Sequence, residues 1–276
     1  MCKKPFLFSA SMLQDYQDCQ RRFELKYVLK QTWPSIPVAP IQEYELHIRR
    51  GRQFHFLIHQ YFAGIPAALI KSAVNDDTLL KWFNRFISHF NKFPFKDIHS
   101  EIRLSATLGN HTIVAVYDLV AQLENGQIEI YDWKTSLHKP NPGIYLSKMQ
   151  SSIYPYVLME NLKFLFPNVD TNQFQKISMI YWFPEFPTAA VRMDYEDVNH
   201  KENSKSLTAL LDQIEEKMTD SQFPMTHDKN LCKFCQFRSL CNRGIHAGSY
   251  QKKEIDHIES EIFIDFDALP PIDADI

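Results

Sequence analysis

Apolar positions in the first third of the chain recur every three or four residues. In "SASMLQDYQDCQRRFELKYV", Met12, Tyr16, Cys19, Phe23 and Tyr27 fall on one helical stripe, and Ser11 followed by Gln14 has the form of a capping box. One helix is therefore expected from Ser11, with Cys19 on its buried side. "PSIPVAP" (Pro34 to Pro40) reads as a loop, Glu43 to about Phe62 as a second helix with a weak point at Gly51, and Asp76 to Phe93 as a third. From His99 the period changes. "HTIVAVYDLVAQL" and "IEIYDWKTS" read as two strands of a hairpin around Glu124-Asn125-Gly126. Tyr145 to Phe166 is expected to be helical, "KISMIYWF" and "TAAVRM" to be strands, and Asn199 to Met218 a helix. Helices, hairpin, helix, strands, helix: that order predicts an α/β body around a mixed central sheet. No internal repeat is visible.

Composition narrows the class. A chain of 276 residues with 45% hydrophobic and 13% aromatic content can bury a sizeable core. We expect one domain over residues 1–253 and an acidic tail over 254–276. That tail carries eight acidic residues and no Lys or Arg, so the preceding part holds -3 + 8 = +5. A mildly basic body points to a polyanion, and the tail to a separate interaction or solubilising segment. With seven glycines the chain has no phosphate loop or dinucleotide fingerprint, and no H-E-x-x-H occurs. The apolar patch at the N-terminus lacks the length of a signal sequence, and no uncharged apolar stretch approaches 18 residues. A cytoplasmic protein without a membrane span is expected. Five cysteines, three of them clustered in "LCKFCQFRSLC", fit ligand use better than disulfides.

The chemistry concentrates on the hairpin. Asp132 and Lys134 are two apart and share a strand face. A two-residue Asn-Gly turn would set Asp118 opposite Trp133. A three-residue loop with Gly126 in the left-handed conformation sets it opposite Asp132. We expect the three-residue loop, because it converges two carboxylates and an ammonium. Paired carboxylates invite Mg²⁺ or Mn²⁺, which makes water more acidic beside a lysine able to orient it. This set suits phosphodiester hydrolysis, although D-x-K alone also describes a strand end with a surface ion pair.

The pattern D-(x)13-D-x-K, here "VAVYD…YDWKTS", resembles the PD-(D/E)XK nuclease superfamily, and more narrowly its RecB-like branch. That branch has a G-x-x-[hydrophobic]-H helix before the hairpin and a Q-x-x-x-Y helix after it, present here as "GRQFH" and "QSSIY". Ala115 stands where the family usually has Gly. The resemblance implies a restriction-endonuclease-like sheet and a metal held by His55, Asp118, Asp132 and the Trp133 carbonyl. It further implies Lys134 acting on water, Gln150 positioning the lysine or water, and Tyr154 meeting substrate. His59, one turn beyond His55, is its nearest rival, and Glu101 is an additional ligand or a solvated strand-entry acid.

A subset of the branch pairs an "S-x-S-x-L-x-x-Y-x-x-C" helix with a terminal C-x2-C-x5-C around a 4Fe-4S cluster. Here that implies Cys19 with Cys232, Cys235 and Cys241, joining the N- and C-terminal segments. Four thiolates also suit Zn²⁺. Cys2 matches nothing. Arg21, Arg22, Arg49, Arg50 and Arg52 adjoin these motifs and are candidate phosphate contacts. The implied substrate is DNA, single-stranded or at ends, and the implied partners are CRISPR adaptation proteins or a helicase-nuclease complex. Two other readings stay open: a nuclease-fold DNA-binding scaffold, and a zinc-stabilised protein whose D-x-K is incidental.

Overall fold

The computed structural model describes residues 6–32, 41–91, 93–169, 176–220 and 222–245. The Pro34–Pro40 loop, Cys2 and the acidic tail lie outside them.

The alternating runs do form strands. β1 is Leu7–Ser9, β2 Phe95–Leu108, β3 His111–Leu123, β4 Ile128–Trp133, β5 Ile177–Trp182 and β6 Val191–Tyr195. They make one mixed sheet, ordered β1-β3-β4-β5-β6, with β2 also paired to β3. β2 lines β3 antiparallel from Leu123 to His111. On β3's other edge, β1 pairs parallel at Thr112–Val114 and β4 antiparallel at Leu119–Gln122. The two partners of that edge part between Val114 and Leu119, and Asp118 sits at the fork.

β4 and β5 are parallel, so the chain must cross over between them. It does so through α6 (Pro142–Leu146) and α7 (Met149–Leu165). Helices cover both faces. On one, Leu13 and Tyr16 of α1 (Ala10–Asp18), Ile153 and Val157 of α7, and Leu211 of α8 (Asp197–Asp220) pack on Ile113, Tyr117 and Ile130. On the other, Phe54 and Ile58 of α3 (Ile41–Phe62) and Trp82, Phe86 and Phe90 of α5 (Asp77–Phe90) pack on Leu119, Tyr131, Trp133 and Trp182. β4 is therefore buried at every residue, which is why it reads as nearly continuous apolar sequence. A mixed sheet flanked by helices is the expected class. Among the described residues no helix is long and apolar enough to cross a membrane.

Several elements differ from the expected ones. The first helix begins one cap earlier: Ser9, not Ser11, accepts from the Met12 N–H. Gln14, the supposed partner in a capping box, instead accepts the Met149 N–H at the start of α7, 3.0 Å away. The helix also breaks at Cys19, which is extended (φ -162°, ψ 106°) and half-buried rather than on a buried stripe. It resumes as α2 (Gln20–Phe23) and a π-helical turn, Glu24–Val28. The expected helix from Tyr145 to Phe166 is interrupted at Ser147 and Lys148, where Lys148 turns extended to start α7. β1, β2 and α4 (Ala67–Ala73) are additional elements.

Candidate active site

The hairpin adopts the three-residue loop. Gly126 is left-handed (φ 84°), its N–H donates to the Leu123 carbonyl at 2.9 Å, and the Leu123 N–H donates to Gln127 at 2.8 Å. Only a residue without a Cβ takes that φ readily. Leu119 then faces Tyr131, and one step further along the same register Asp118 faces Asp132.

Two departures from regular strand geometry meet there. Tyr117 and Val120 both pack into the α7 layer, so the alternation of β3 slips between them, at Asp118. Across on β2, the ladder pairs Ser100 with Leu119 and Ile102 with Tyr117, leaving Glu101 beside Asp118 with φ 52°. Asp118 uses its two oxygens in different directions. Oδ2 accepts the Trp133 N–H at 2.7 Å, and Oδ1 lies 3.0 Å from His55 Nδ1.

Asp132 is only 4% exposed. Its Oδ1 accepts from the Gln150 side-chain amide at 2.5 Å, and its Oδ2 lies 2.9 Å from Lys134 Nζ. The Lys134 N–H donates to the Trp182 carbonyl at 2.9 Å, which ties the strand end to β5. Its ammonium also lies 5.8 Å from the centre of the Tyr181 ring.

Spacing alone could not explain "GRQFH"; packing does. Gly51 and His55 are one turn apart on the same face of α3. A Cβ at Gly51 would stand 3.0 Å from Thr135 Oγ1, so glycine lets α3 approach the residue after Lys134. That approach delivers His55 to Asp118. His59, the rival, is 3.2 Å from Ser100 Oγ on β2. Gln150 and Tyr154 share a face of α7; the Tyr154 carbonyl accepts from the Tyr117 hydroxyl at 2.8 Å, and the two rings lie 5.0 Å apart.

The electrostatics are those of a crowded anionic site. Burial raises the Asp132 carboxyl, Lys134 opposes this, and Asp118 raises it further; the net shift is upward. Burial works to lower the His55 imidazole, but Asp118, then Asp132 and Glu101, outweigh it and leave it raised. The Glu101 carboxyl is pushed up to about 7 by desolvation first and by Asp118 second. His55, Glu101 and Asp118 place ligand atoms within 4.8 Å of one another. Sequence spacing leaves Glu101 an additional ligand or a solvated acid, and the irregular step in β2 brings it beside His55 and Asp118.

The donor set of carboxylates and one imidazole fits a hard divalent ion. Gln150 Oε1 is buried without a hydrogen-bond partner, as expected of an atom awaiting water or an ion.

Cys19, Cys232, Cys235 and Cys241 line one cavity together with Arg22, Arg238 and Arg243, and none is in a disulfide. The Thr226 N–H points at Cys19 Sγ, 3.5 Å away. Burial raises the Cys235 and Cys241 thiols, and Cys19 and Cys232 add to this. Among the described residues no three of these sulfurs lie mutually within 4.8 Å. Tetrahedral zinc with bonds of about 2.3 Å would draw sulfurs closer than that, to roughly 3.8 Å.

The candidate phosphate contacts divide. Arg21 pairs with Glu24, Arg22 with Asp15 and Asp18, and Arg50 with Asp76 at 2.8 Å. Arg49 and Arg52 are exposed on α3.

The chain matches the PD-(D/E)XK nuclease superfamily over residues 7–242. Solved structures of similar shape include that of SSO0001, with 15% identity, coverage of 88% of this chain and 89% of that one, and a TM-score of 0.37. Another is a candidate exonuclease from Eubacterium rectale, with 9% identity, coverage of 90% and 92%, and a TM-score of 0.49. A search of curated proteins gives no significant match.

Proposed function

Because this chain belongs to the PD-(D/E)XK nuclease superfamily, we propose that it is a metal-dependent deoxyribonuclease acting on single-stranded DNA or DNA ends. The carrying observation is the convergence of Asp118, Asp132 and Lys134 on one hairpin, with His55 and Gln150 delivered from opposite helical layers. His55, Asp118, Asp132 and the Trp133 carbonyl would hold Mg²⁺ or Mn²⁺, which would supply Lewis-acid stabilisation and a more acidic water. Lys134 orients the attacking water toward phosphorus and offsets the negative charge that develops on the phosphate oxygens. Gln150 fixes the Asp132 carboxylate, Tyr154 meets the substrate strand, and Arg49 and Arg52 receive phosphates. CRISPR spacer acquisition and recombinational repair, each with a protein partner, are the pathways that suit such an activity.

The four cysteines hold a 4Fe-4S cluster in this reading. Its role is to clasp the terminal segments, with no part in cleavage. Their shared lining of one cavity supports a common bound group.

The test is cleavage of end-labelled single-stranded DNA with Mn²⁺. Lys134→Ala should lower the rate by roughly 10²- to 10⁴-fold while the protein still binds Mn²⁺. Equal cleavage by both proteins overturns the assignment. DNA binding without cleavage by either favours the scaffold reading.

A further inference from the structure

Glu101 has no place in the D…D-x-K pattern, yet it occupies the most irregular position of the site. It is a non-glycine residue at φ 52° within a strand of 14 residues. Such a conformation is unfavourable for glutamate, and single residues held there concentrate at functional sites. The distortion is confined to one residue, because Ser100 and Ile102 on either side keep their β3 partners. Its consequence is direction. A regular extended residue would send its side chain to one face of the sheet, whereas the left-handed step aims the Glu101 carboxylate at His55 and Asp118. Ser100, one residue earlier, meets His59 at 3.2 Å and so fixes α3 against β2 where His55 and Glu101 converge.

Asp132 holds a different place. Gln150 and Lys134 engage its two oxygens, and it is not in the close group. Glu101 keeps part of its surface open to solvent while its carboxylate lies beside His55 and Asp118, so an arriving ion can reach it. Two carboxylates and one imidazole with ligand atoms this close match the bite of a small divalent ion, whose bonds to oxygen are about 2.0–2.2 Å.

We propose that Glu101 is a cation ligand contributed by β2, so that the metal centre draws on His55, Glu101 and Asp118 as well as on the D-x-K strand. This rests on the metal-centre reading above.

The experiment is Mn²⁺ titration of the full chain, followed by the electron paramagnetic resonance of free Mn²⁺. It compares wild type with Glu101→Gln, Glu101→Gly and Asp118→Asn. Removing the Glu101 carboxylate should weaken binding by roughly tenfold or more in both variants. Glu101→Gly, which accepts a left-handed backbone, should melt without metal at or above the wild-type Tm. A ligand lost from a sound fold then separates from a fold that failed. Wild-type affinity in both Glu101 variants, with loss in Asp118→Asn, overturns the Glu101 assignment and leaves the metal centre standing. No Mn²⁺ binding by wild type overturns both.

Discussion

A single hydrogen atom in place of a methyl group lets α3 approach the end of β4. Gly51 lies against Thr135, next to Lys134, and an added Cβ would require the Thr135 hydroxyl to move. Gly51→Ala gains helix propensity of up to about 1 kcal/mol, so stability should change little. Displacing the strand end beside the reacting groups should nevertheless slow cleavage about tenfold or more. Thr135→Ala in the same chain removes the obstructing oxygen and should restore most of the rate. A cleavage assay alongside thermal melts checks both parts. The sequence marked Gly51 only as a weak point in a helix, because the atom it avoids is 84 residues away in the chain. His55 and His59 were likewise inseparable by spacing, and only their partners, Asp118 and Ser100, tell them apart.

Elements were legible where their cause is local. The two hairpin strands and the loop follow from alternation and from a glycine suited to positive φ, and they hold in the structure. α5 is legible in the same way. Its stripe of Leu79, Trp82, Phe83, Phe86 and Phe90 is buried, and Asp76 caps its Thr78 and Leu79 N–H groups. Asp76 also pairs with Arg50, joining α5 to α3. Burial works to raise its carboxyl, but the Arg50 hydrogen bond and the Leu79 and Thr78 N–H groups hold it below the usual carboxylate range. A lowered folded value gives stability that is present above the unfolded value of about 4 and lost as pH falls through the folded one. Asp76→Ala should therefore cost about 1 kcal/mol near neutrality, a difference that narrows in denaturant melts below about pH 4. β2 escaped the pattern because its first half holds no fully buried residue and its alternation breaks at Glu101. The break of the first helix at Cys19 escaped too, since every local signal there favours helix.

At the scale of the molecule the two ends of the described chain are already in contact. The Arg21 N–H donates to the Pro224 carbonyl at 3.1 Å, and Phe23 stacks on Phe223 with centroids 6.0 Å apart. Ligands from both ends would close a loop of more than two hundred residues, a strong constraint on the unfolded chain. Anaerobically purified protein should carry about four irons, with broad absorbance near roughly 400 nm. Cys19→Ala should be colourless, poorly soluble and inactive. A folded, fully cluster-loaded Cys19→Ala protein would remove Cys19 from the site, and one zinc in place of iron would replace the cluster assignment. Charge acts at this scale as well. Deleting residues 254–276 removes eight acidic groups, so DNA affinity should rise at low ionic strength and approach wild type as salt is added. Unchanged affinity at low salt would show that the tail does not oppose DNA binding.

By itself the sequence determined which segments form the hairpin strands, how their turn is closed and which side chains share a face. Those properties depend on φ, ψ and period, which a residue and its near neighbours set. Only the tertiary structure decided that Cys19 leaves its helix, that Gly51 is a contact and that Glu101 turns into the site. Each depends on groups distant in sequence, and such contacts form when packing brings whole layers together, at a local conformational cost that no local pattern announces.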